Sequence, residues 1–335
     1  MAVAAGVWSA CGILPGQATD PVTTTPTTPT STAASQPADV RLVFLHINDV
    51  HGHTQAYQVD GRSTGGYARL ATAIQQVRES SKANRVFFLH AGDELSRGDK
   101  LTRATLGGAN IAIMNVLKLD AFTPGNGDFY DGLDNLDRLM KQARFPFLSA
   151  NVTAGLKKAP ISRPYIIFEA GPVKVAVIGL CFVRTAHPSG WTVGLADPVE
   201  TARALVPELR KKADIVVALT HIGYEEDVKL AKAVSGIDII IGAHSHTKLA
   251  KGTVVKTPSG GQTIIAQAGD HLRYLGRVDL VLTPATQPAR NWRIIHSSAG
   301  LIDLDQKIKL DPTVTALIAR LATAASQPST VPAGR

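Results

Sequence analysis

Between residue 40 and about residue 282, short and almost wholly apolar runs alternate with longer amphipathic stretches, and no other feature restricts the fold as strongly. Arg41–Ile47, Arg85–His90, Val173–Leu180, Asp214–Thr220, Ile237–Gly242 and Thr263–Gln267 keep their apolar residues largely consecutive. Strands covered on both faces read this way. Tyr67–Arg78 sets Leu70, Ala73, Ile74 and Val77 on one helical face, and Pro198–Lys212 and Glu225–Ala233 carry charges on an outer face. Tyr165–Glu169 and Tyr274–Leu282 read as antiparallel strands. The pattern predicts an α/β domain over residues 40–300, with helices packed on mixed sheets around one core. The longest apolar run, near Val173–Val183, is broken by Lys174 and Gly179 and falls short of the roughly 18 residues that a membrane helix needs.

The two ends differ from this domain. Residues 1–39 begin with small apolar residues (AVAAGVWSA) that run into Cys11, and continue into a Thr/Pro/Ser/Ala-rich stretch with too few aliphatic residues to offset the entropy of ordering it. The leader resembles the end of a bacterial lipoprotein signal. That implies a chain exported to the cell envelope, periplasmic or lipid-anchored at Cys11, or secreted. The C-terminal residues repeat the composition, with TAASQP recurring at Thr323–Pro328, and read as a frayed end.

The chemistry sits in the turns after the strands. Asn48-Asp49-Val50-His51 comes after the first run, Ala91-Gly92-Asp93 after the second, and Gly125-Asn126 after the short Ala121–Thr123 run. His221 comes after the Asp214–Thr220 run and His244-Ser245-His246 after the Ile237–Gly242 run. Sites in open α/β sheets lie beyond the carboxyl ends of strands, so these loops can converge. Asp49, His51, Asp93, Asn126, His221, His244 and His246 offer nitrogen and oxygen donors; the two cysteines, Cys11 and Cys181, cannot build a thiolate site. Imidazole argues against a calcium or magnesium cage and for zinc, manganese, iron or cobalt. Seven donors exceed what one catalytic ion with an open position uses, and suit two divalent ions that share a carboxylate. An extended backbone would put both members of Asp49-x-His51, and of His244-x-His246, on one face. Taken singly, each feature is ordinary: Asp93 could cap a helix and His221 could be a core histidine. Together, at five strand ends, they form a pattern.

At these residues the sequence resembles the metallophosphatase domain of the 5′-nucleotidase family, within the calcineurin-like dimetal phosphoesterases. The matching blocks are LHINDVHGH at Leu45–His53, GGYARL at Gly65–Leu70, AGD at Ala91–Asp93, GNGDF at Gly125–Phe129, FPFLSANV at Phe145–Val152, THIGYEED at Thr220–Asp227, GAHSHT at Gly242–Thr247 and AQAGDHLRYLGRVDL at Ala266–Leu280. The resemblance implies two facing mixed β-sheets flanked by helices and a dimetal centre at the strand ends. It implies that Asp49, His51 and His246 hold one ion, that Asn126, His221 and His244 hold the other, and that Asp93 bridges them. The implied chemistry is attack of a bridging water on a small phosphorylated substrate.

Two departures shape the expectation. Where the family pattern reads Gly-Asn-His-Glu, this chain has Gly127 for the His and Asp128 for the Glu, and the Asp partner of that His falls at Tyr130, with Asp131 one place on. A missing positioned acid costs typically about a hundred- to ten-thousand-fold. Asp128, Asp131, His53 and His90 are the candidate replacements, and Gly127→His is expected to raise turnover of alkyl phosphates more than of aryl phosphates. The alternative function is a metal-binding scaffold with impaired catalysis. The family also carries a C-terminal nucleotide-binding domain. Here Ile302–Ala324 resembles the helical connector to it, so residues 301–335 are expected to be connector helix and tail, and a separately encoded nucleotide-binding domain is a candidate partner. A formal charge of +8 spread over 335 residues gives modest steering of anions. No basic cluster interleaved with aromatics points to nucleic acid, and neither GxxxxGK[ST] nor GxSxG occurs.

Overall fold

The computed structural model describes residues 38–155, 159–182, 192–285 and 291–327. The leader, Cys11, nearly all of the Thr/Pro-rich stretch, Trp191 and residues 328–335 lie outside the described residues.

The strand Val40–Ile47 shows how the layers arise. Its side chains alternate across the pleat, so Leu42 and Phe44 enter one apolar cluster while Val43, Leu45 and Ile47 enter another. It lies in a five-stranded sheet ordered Trp292–Asp303, Tyr274–Pro284, Val40–Ile47, Arg85–His90 and Ala121–Phe122. Pairing is parallel from Val40–Ile47 through Ala121–Phe122 and antiparallel on the other side. A six-stranded sheet is ordered Thr253–Lys256, Gln262–Ala266, Ile239–Ile241, Ile215–His221, Val173–Cys181 and Tyr165–Ala170, parallel over its four central strands and antiparallel at both edges.

The sheets face each other across a dry layer to which Phe44, Phe87, Leu280, Val177, Leu219 and Ile241 all contribute. Helices cover the outer faces. Tyr67–Ser80, Gly108–Leu117, Leu133–Gln142 and Pro312–Ser326 pack on the five-stranded sheet, and Pro198–Arg210 and Tyr224–Ala233 on the six-stranded one. The expected pair of facing mixed sheets flanked by helices is therefore the architecture. The consecutive apolar runs mark strands that are indeed covered on both sides.

The C-terminal stretch departs from a continuous helix. Ile302 and Asp303 still belong to the strand Trp292–Asp303, paired with Leu275 and Tyr274, so residue 300 falls inside a strand. The helix starts at Pro312, where Asp311 accepts a hydrogen bond from the Val314 N–H at 2.8 Å and proline supplies the helical φ at no cost in donors. Val314 and Ile318 are buried in the same core as Leu70 and Ile74.

Candidate metal centre

All seven donors leave the sheets at one end. Asp49, His51, Asp93 and Asn126 follow strands of the five-stranded sheet, whereas His221, His244 and His246 end or follow strands of the six-stranded sheet. His51, Asp93, Asn126, His244 and His246 line one cavity of about 470 Å³. Asp49 and His221, fully buried, complete the cluster.

The backbone brings them together differently from the sequence expectation. Asp49, His51, Asp93, His244 and His246 are not extended: their φ angles are 49°, 50°, 57°, 75° and 54°. Tight left-handed turns, not the pleat of a strand, aim each pair. Such conformations in non-glycine residues cost about 1–3 kcal/mol each and persist where surrounding contacts over-determine them. Here the contacts are backbone bonds between turns: the Asp49 N–H donates to the Gly92 carbonyl at 2.9 Å, the His51 N–H to the Asp93 carbonyl at 2.8 Å, and the His271 N–H to the Asp49 carbonyl at 2.8 Å. Asn48 adds a tie, donating to the Gly269 carbonyl at 2.7 Å and accepting from the Ala268 N–H at 2.8 Å.

Two overlapping groups of donor atoms result, Asp49/His51/His246 and Asp49/Asp93/His221, each with its atoms within 4.8 Å of one another. Asp93 faces both ways, with Oδ2 3.9 Å from His51 Nδ1 and Oδ1 3.5 Å from His221 Nε2. Asp49 Oδ1 is likewise 3.5 Å from His246 Nε2 and 4.0 Å from His221 Nε2.

Two orphaned atoms test whether the residues fit a cation. His221 Nδ1 is 2.7 Å from the Ala91 carbonyl, but its buried Nε2 has no hydrogen-bond partner among the described residues. Asn126 donates through Nδ2 to the Tyr130 hydroxyl at 2.9 Å, while its buried Oδ1 is also without a partner among the described residues. Buried lone pairs are costly unless something fills the position, and a histidine tied to a carbonyl through its other nitrogen is the arrangement of a metal ligand. His246 shows the same logic, its Nδ1 3.3 Å from Asp270 Oδ2. The donor set fits a borderline divalent cation.

Electrostatics agree. Burial would raise the Asp93 carboxyl, yet neighbouring His221 and His51 and the Gly127 N–H hold it below the usual carboxylate range. Burial disfavours charge on His221, but Asp93 and Asp49 push it up to about 9. Burial pushes His51 down to about 4. Bound cations would take the place of protons on these imidazoles.

The four acid–base candidates separate clearly. Asp128 is buried and fully engaged: Oδ1 accepts from the Glu94 and Leu95 N–H groups at 2.8 and 2.7 Å, and Oδ2 from the Asp93 and Gly125 N–H groups at 2.9 and 2.7 Å. It clamps the Asp93 turn to the Asn126 turn. His90 is buried 3.0 Å from Glu94 Oε2 and accepts the Gly92 N–H at 3.0 Å. Asp131 is exposed, beyond Tyr130. His53 lines the cavity, its Nδ1 2.9 Å from the Val50 carbonyl and its ring 4.3 Å from that of His271.

Gly127 lets the backbone press on Asp93, its N–H donating to Oδ1 at 2.6 Å. A Cβ there would lie 2.9 Å from that oxygen, so the expected gain from Gly127→His meets a steric cost that the sequence did not reveal.

Asp270, His271, Arg97 and Tyr130 also belong to the site and were missed. Asp270 and His271 had a readable signal: like the other donors, they come after a strand, Gln262–Ala266, through a small-residue turn. Tyr130 was singled out only as the occupant of the dyad's Asp position, and Arg97 not at all.

Comparison with known proteins gives a consistent answer. The family model described as calcineurin-like phosphoesterase matches residues 42–248. The trifunctional nucleotide phosphoesterase YfkN of Bacillus subtilis is 36% identical over 276 residues, 71% of this chain and 18% of that protein. The 5′-nucleotidase of Homo sapiens is 31% identical over 308 residues, 82% of this chain and 51% of that one. Among solved structures, the 5′-nucleotidase precursor of Thermus thermophilus superposes with a TM-score of 0.75 at 29% identity, over 85% of this chain and 59% of that chain. This chain thus spans about half the length of the curated 5′-nucleotidases that it matches.

Proposed function

The chain belongs to the calcineurin-like phosphoesterase family, and on that basis we propose that it hydrolyses phosphate esters at a dinuclear metal centre. The observation that supports this reading is the convergence of seven donors from two sheets, five lining one cavity with Asp49 and His221 buried beside them, and with His221 Nε2 and Asn126 Oδ1 buried and unpartnered among the described residues. Asp49, His51 and His246 would hold one cation, Asn126, His221 and His244 the other, and Asp93 would serve both. Zinc, manganese, iron and cobalt all suit this set. When bound, the cations lower the pKa of a water and neutralise charge on the phosphoryl group.

The residues of the chain do the rest. Asp270 fixes the His246 ring and the Ala91 carbonyl fixes His221, so both point their other ring nitrogens at the cluster, His246 Nε2 lying 3.0 Å from His51 Nε2. Asp128 holds the Asp93 and Asn126 turns in register. In the reaction the water oxygen bonds to phosphorus, the bond from phosphorus to the ester oxygen breaks, and the departing oxygen takes up a proton to leave as an alcohol. Of the four candidate donors, His53 is the one on the cavity wall. With no imidazole at position 127, leaving groups that need no proton are favoured.

The names of the relatives support nucleotide phosphoesters as the substrate class. The apolar leader ending at Cys11 supports an exported, envelope-associated protein. Among the described residues no helix is long and apolar enough to cross a membrane.

The test is hydrolysis of an aryl phosphate by purified protein loaded with manganese or zinc, beside an Asp93→Asn control and elemental analysis of both. Two cations per wild-type chain and activity abolished in the control are expected. Activity unchanged in the control, or wild-type protein that retains no transition metal, would overturn the proposal.

A further inference from the structure

The turn from Ala243 to Thr247 carries two of the seven donors, and one buried amide reaches its two ends and its middle. Gln267, the residue after the strand Gln262–Ala266, is fully buried. That strand pairs in parallel with Ile239–Ile241, so the two chains leave the sheet side by side and Gln267 falls against the start of the turn. Its Nε2 donates to the Ala243 carbonyl at 3.2 Å, and its Oε1 accepts from the Ser245 hydroxyl at 3.1 Å and from the Thr247 N–H. Ser245 Oγ in turn accepts the Tyr224 N–H at 3.0 Å. Gly242 makes room for this, since a Cβ there would collide with Asp227 Oδ2 and lie 3.2 Å from Gln267 Nε2. None of the three amide contacts is made to an imidazole. The residues they bracket, His244 and His246, hold φ angles of 75° and 54°, a conformation that persists only where contacts over-determine it. The backbone adds an anchor that no side chain controls: the Leu249 N–H donates to the Gln267 carbonyl at 3.1 Å and the Gly269 N–H to the Thr247 carbonyl at 3.2 Å. A substitution at position 267 therefore leaves the turn attached and removes only what fixes its internal shape.

We propose that Gln267 is a positioning residue for both cation positions at once: by holding the ends and the middle of a single turn, it keeps His244 and His246 in their binding conformations before either cation arrives. This deepens the metal-centre reading and rests on it, since the two histidines would serve different cations. The consequence lies in the order of loading. A turn already in place lets each cation bind at its intrinsic affinity. A turn released from Gln267 visits other conformations, and the first cation binds only the competent fraction, so that step weakens by that fraction. Once the first cation is bound the turn is ordered, and the second meets a ligand already in position. Loss of Gln267 therefore weakens the first step far more than the second and makes loading cooperative. Asp270 acts differently. Of the two imidazoles on the turn it pairs with His246, and its loss bears on one cation position.

The experiment adds cobalt(II) stepwise to chelator-stripped wild type, Gln267→Met, Gln267→Glu, Ser245→Ala and Asp270→Asn, followed by calorimetry and by visible absorption, with folding checked by circular dichroism. In Gln267→Met the first-step affinity is expected to fall about ten- to a hundredfold, the range for a lost outer-shell partner, while the second stays within about threefold of wild type. The two steps should draw together into one cooperative transition. The fully loaded variant should nevertheless absorb like wild type, because the loaded turn has the same shape. Gln267→Glu keeps the acceptor but not the donor and should fall between wild type and Met. Ser245→Ala, at an exposed position, removes one of the three contacts and should shift the first step severalfold in the same direction. Asp270→Asn should weaken one position without drawing the steps together. First-step affinity within twofold of wild type in Gln267→Met, or equal weakening of both steps, would overturn the assignment; should that variant fail to fold, Ser245→Ala decides by the same criteria. Wild-type protein that loads cobalt as expected, and loses the first step with Gln267, but hydrolyses no aryl phosphate would remove the hydrolase reading and leave the positioning role standing. Wild-type protein that binds no cobalt would overturn both.

Discussion

Two regions flank Asp93, and they are built on opposite principles. On one side the ligand turns at Asp49–His51 and His244–His246 are strained, rich in imidazole and braced from outside by Asn48 and Asp270. On the other the Asn126–Phe129 turn contains a single donor, Asn126, and spends its carboxylate, Asp128, on four backbone N–H groups. On the proposed reading the first region would hold cations, whereas the second holds backbone. Metal binding and proton donation would then be separable parts of the site, and glycine at position 127 would alter only the second.

The heaviest loss should fall on the residue the two regions share. Asp93→Asn should lose cation and turnover together, well beyond the roughly ten- to hundredfold typical of an outer-shell partner. Elemental analysis with single-turnover assays would show it, and retention of two cations would undo this division of labour. Next, Asp128→Ala strands four buried N–H groups, each worth about 1–3 kcal/mol when unsatisfied, so the unfolding free energy should drop by at least about 3 kcal/mol. Denaturant melts would measure it. A variant with unchanged stability but an altered pH–rate profile would show that Asp128 is an acid rather than a clamp. Asp270→Asn, which loosens the carboxylate's hold on His246 as well as its pairs with His271 and Arg273, should weaken metal binding about ten- to a hundredfold. Chelator competition would measure that, and its stability should change far less than that of the Asp128 variant.

Gly127→His tests the second region more finely when set beside Gly127→Ala. Both push on Asp93 Oδ1, but only one brings an imidazole. The ratio of alkyl to aryl phosphate turnover should be severalfold higher in the His variant than in the Ala variant, whatever the absolute rates. Equal ratios would mean that the turn cannot use an acid at all.

A milder effect concerns pH. His46, three residues before Asp49, is buried with neither ring nitrogen hydrogen-bonded among the described residues, and burial pushes it down to about 3 from an ordinary 6.5. Between those values the unfolded chain binds the proton and the folded chain does not. The contribution to stability is therefore complete above about 6.5 and is lost as pH falls towards 3. His46→Leu should flatten the acid limb of a melting-temperature profile. An unchanged profile would mean that some other group governs acid unfolding.

The sheets and the donor set were legible because consecutive apolar runs end in small-residue turns, a signal carried within a few residues. The helix Gly108–Leu117 was not legible: Ala109, Ile111, Ile113, Met114 and Leu117 are all buried, leaving little polar face to set a period. Arg97 was equally silent. Its place on the cavity wall depends on Tyr130, on Asn126 and on a glycine packed against Gly52, relations that exist only in three dimensions. The sequence reading also brought these side chains together by a geometry that the structure does not show, since alternation along an extended strand cannot be told from paired left-handed turns by spacing alone.

Four of the donors stand on one sheet and three on the other. Cations held among them would act as a rivet through the open end of the sandwich, where the dry layer of Phe44, Val177 and Leu219 no longer reaches. Binding free energy would then add to the cohesion of the two layers, growing with the logarithm of metal supply. Starvation for metal would slacken this molecule mechanically as well as silence it, and protease sensitivity at the rim of the sandwich would report both at once.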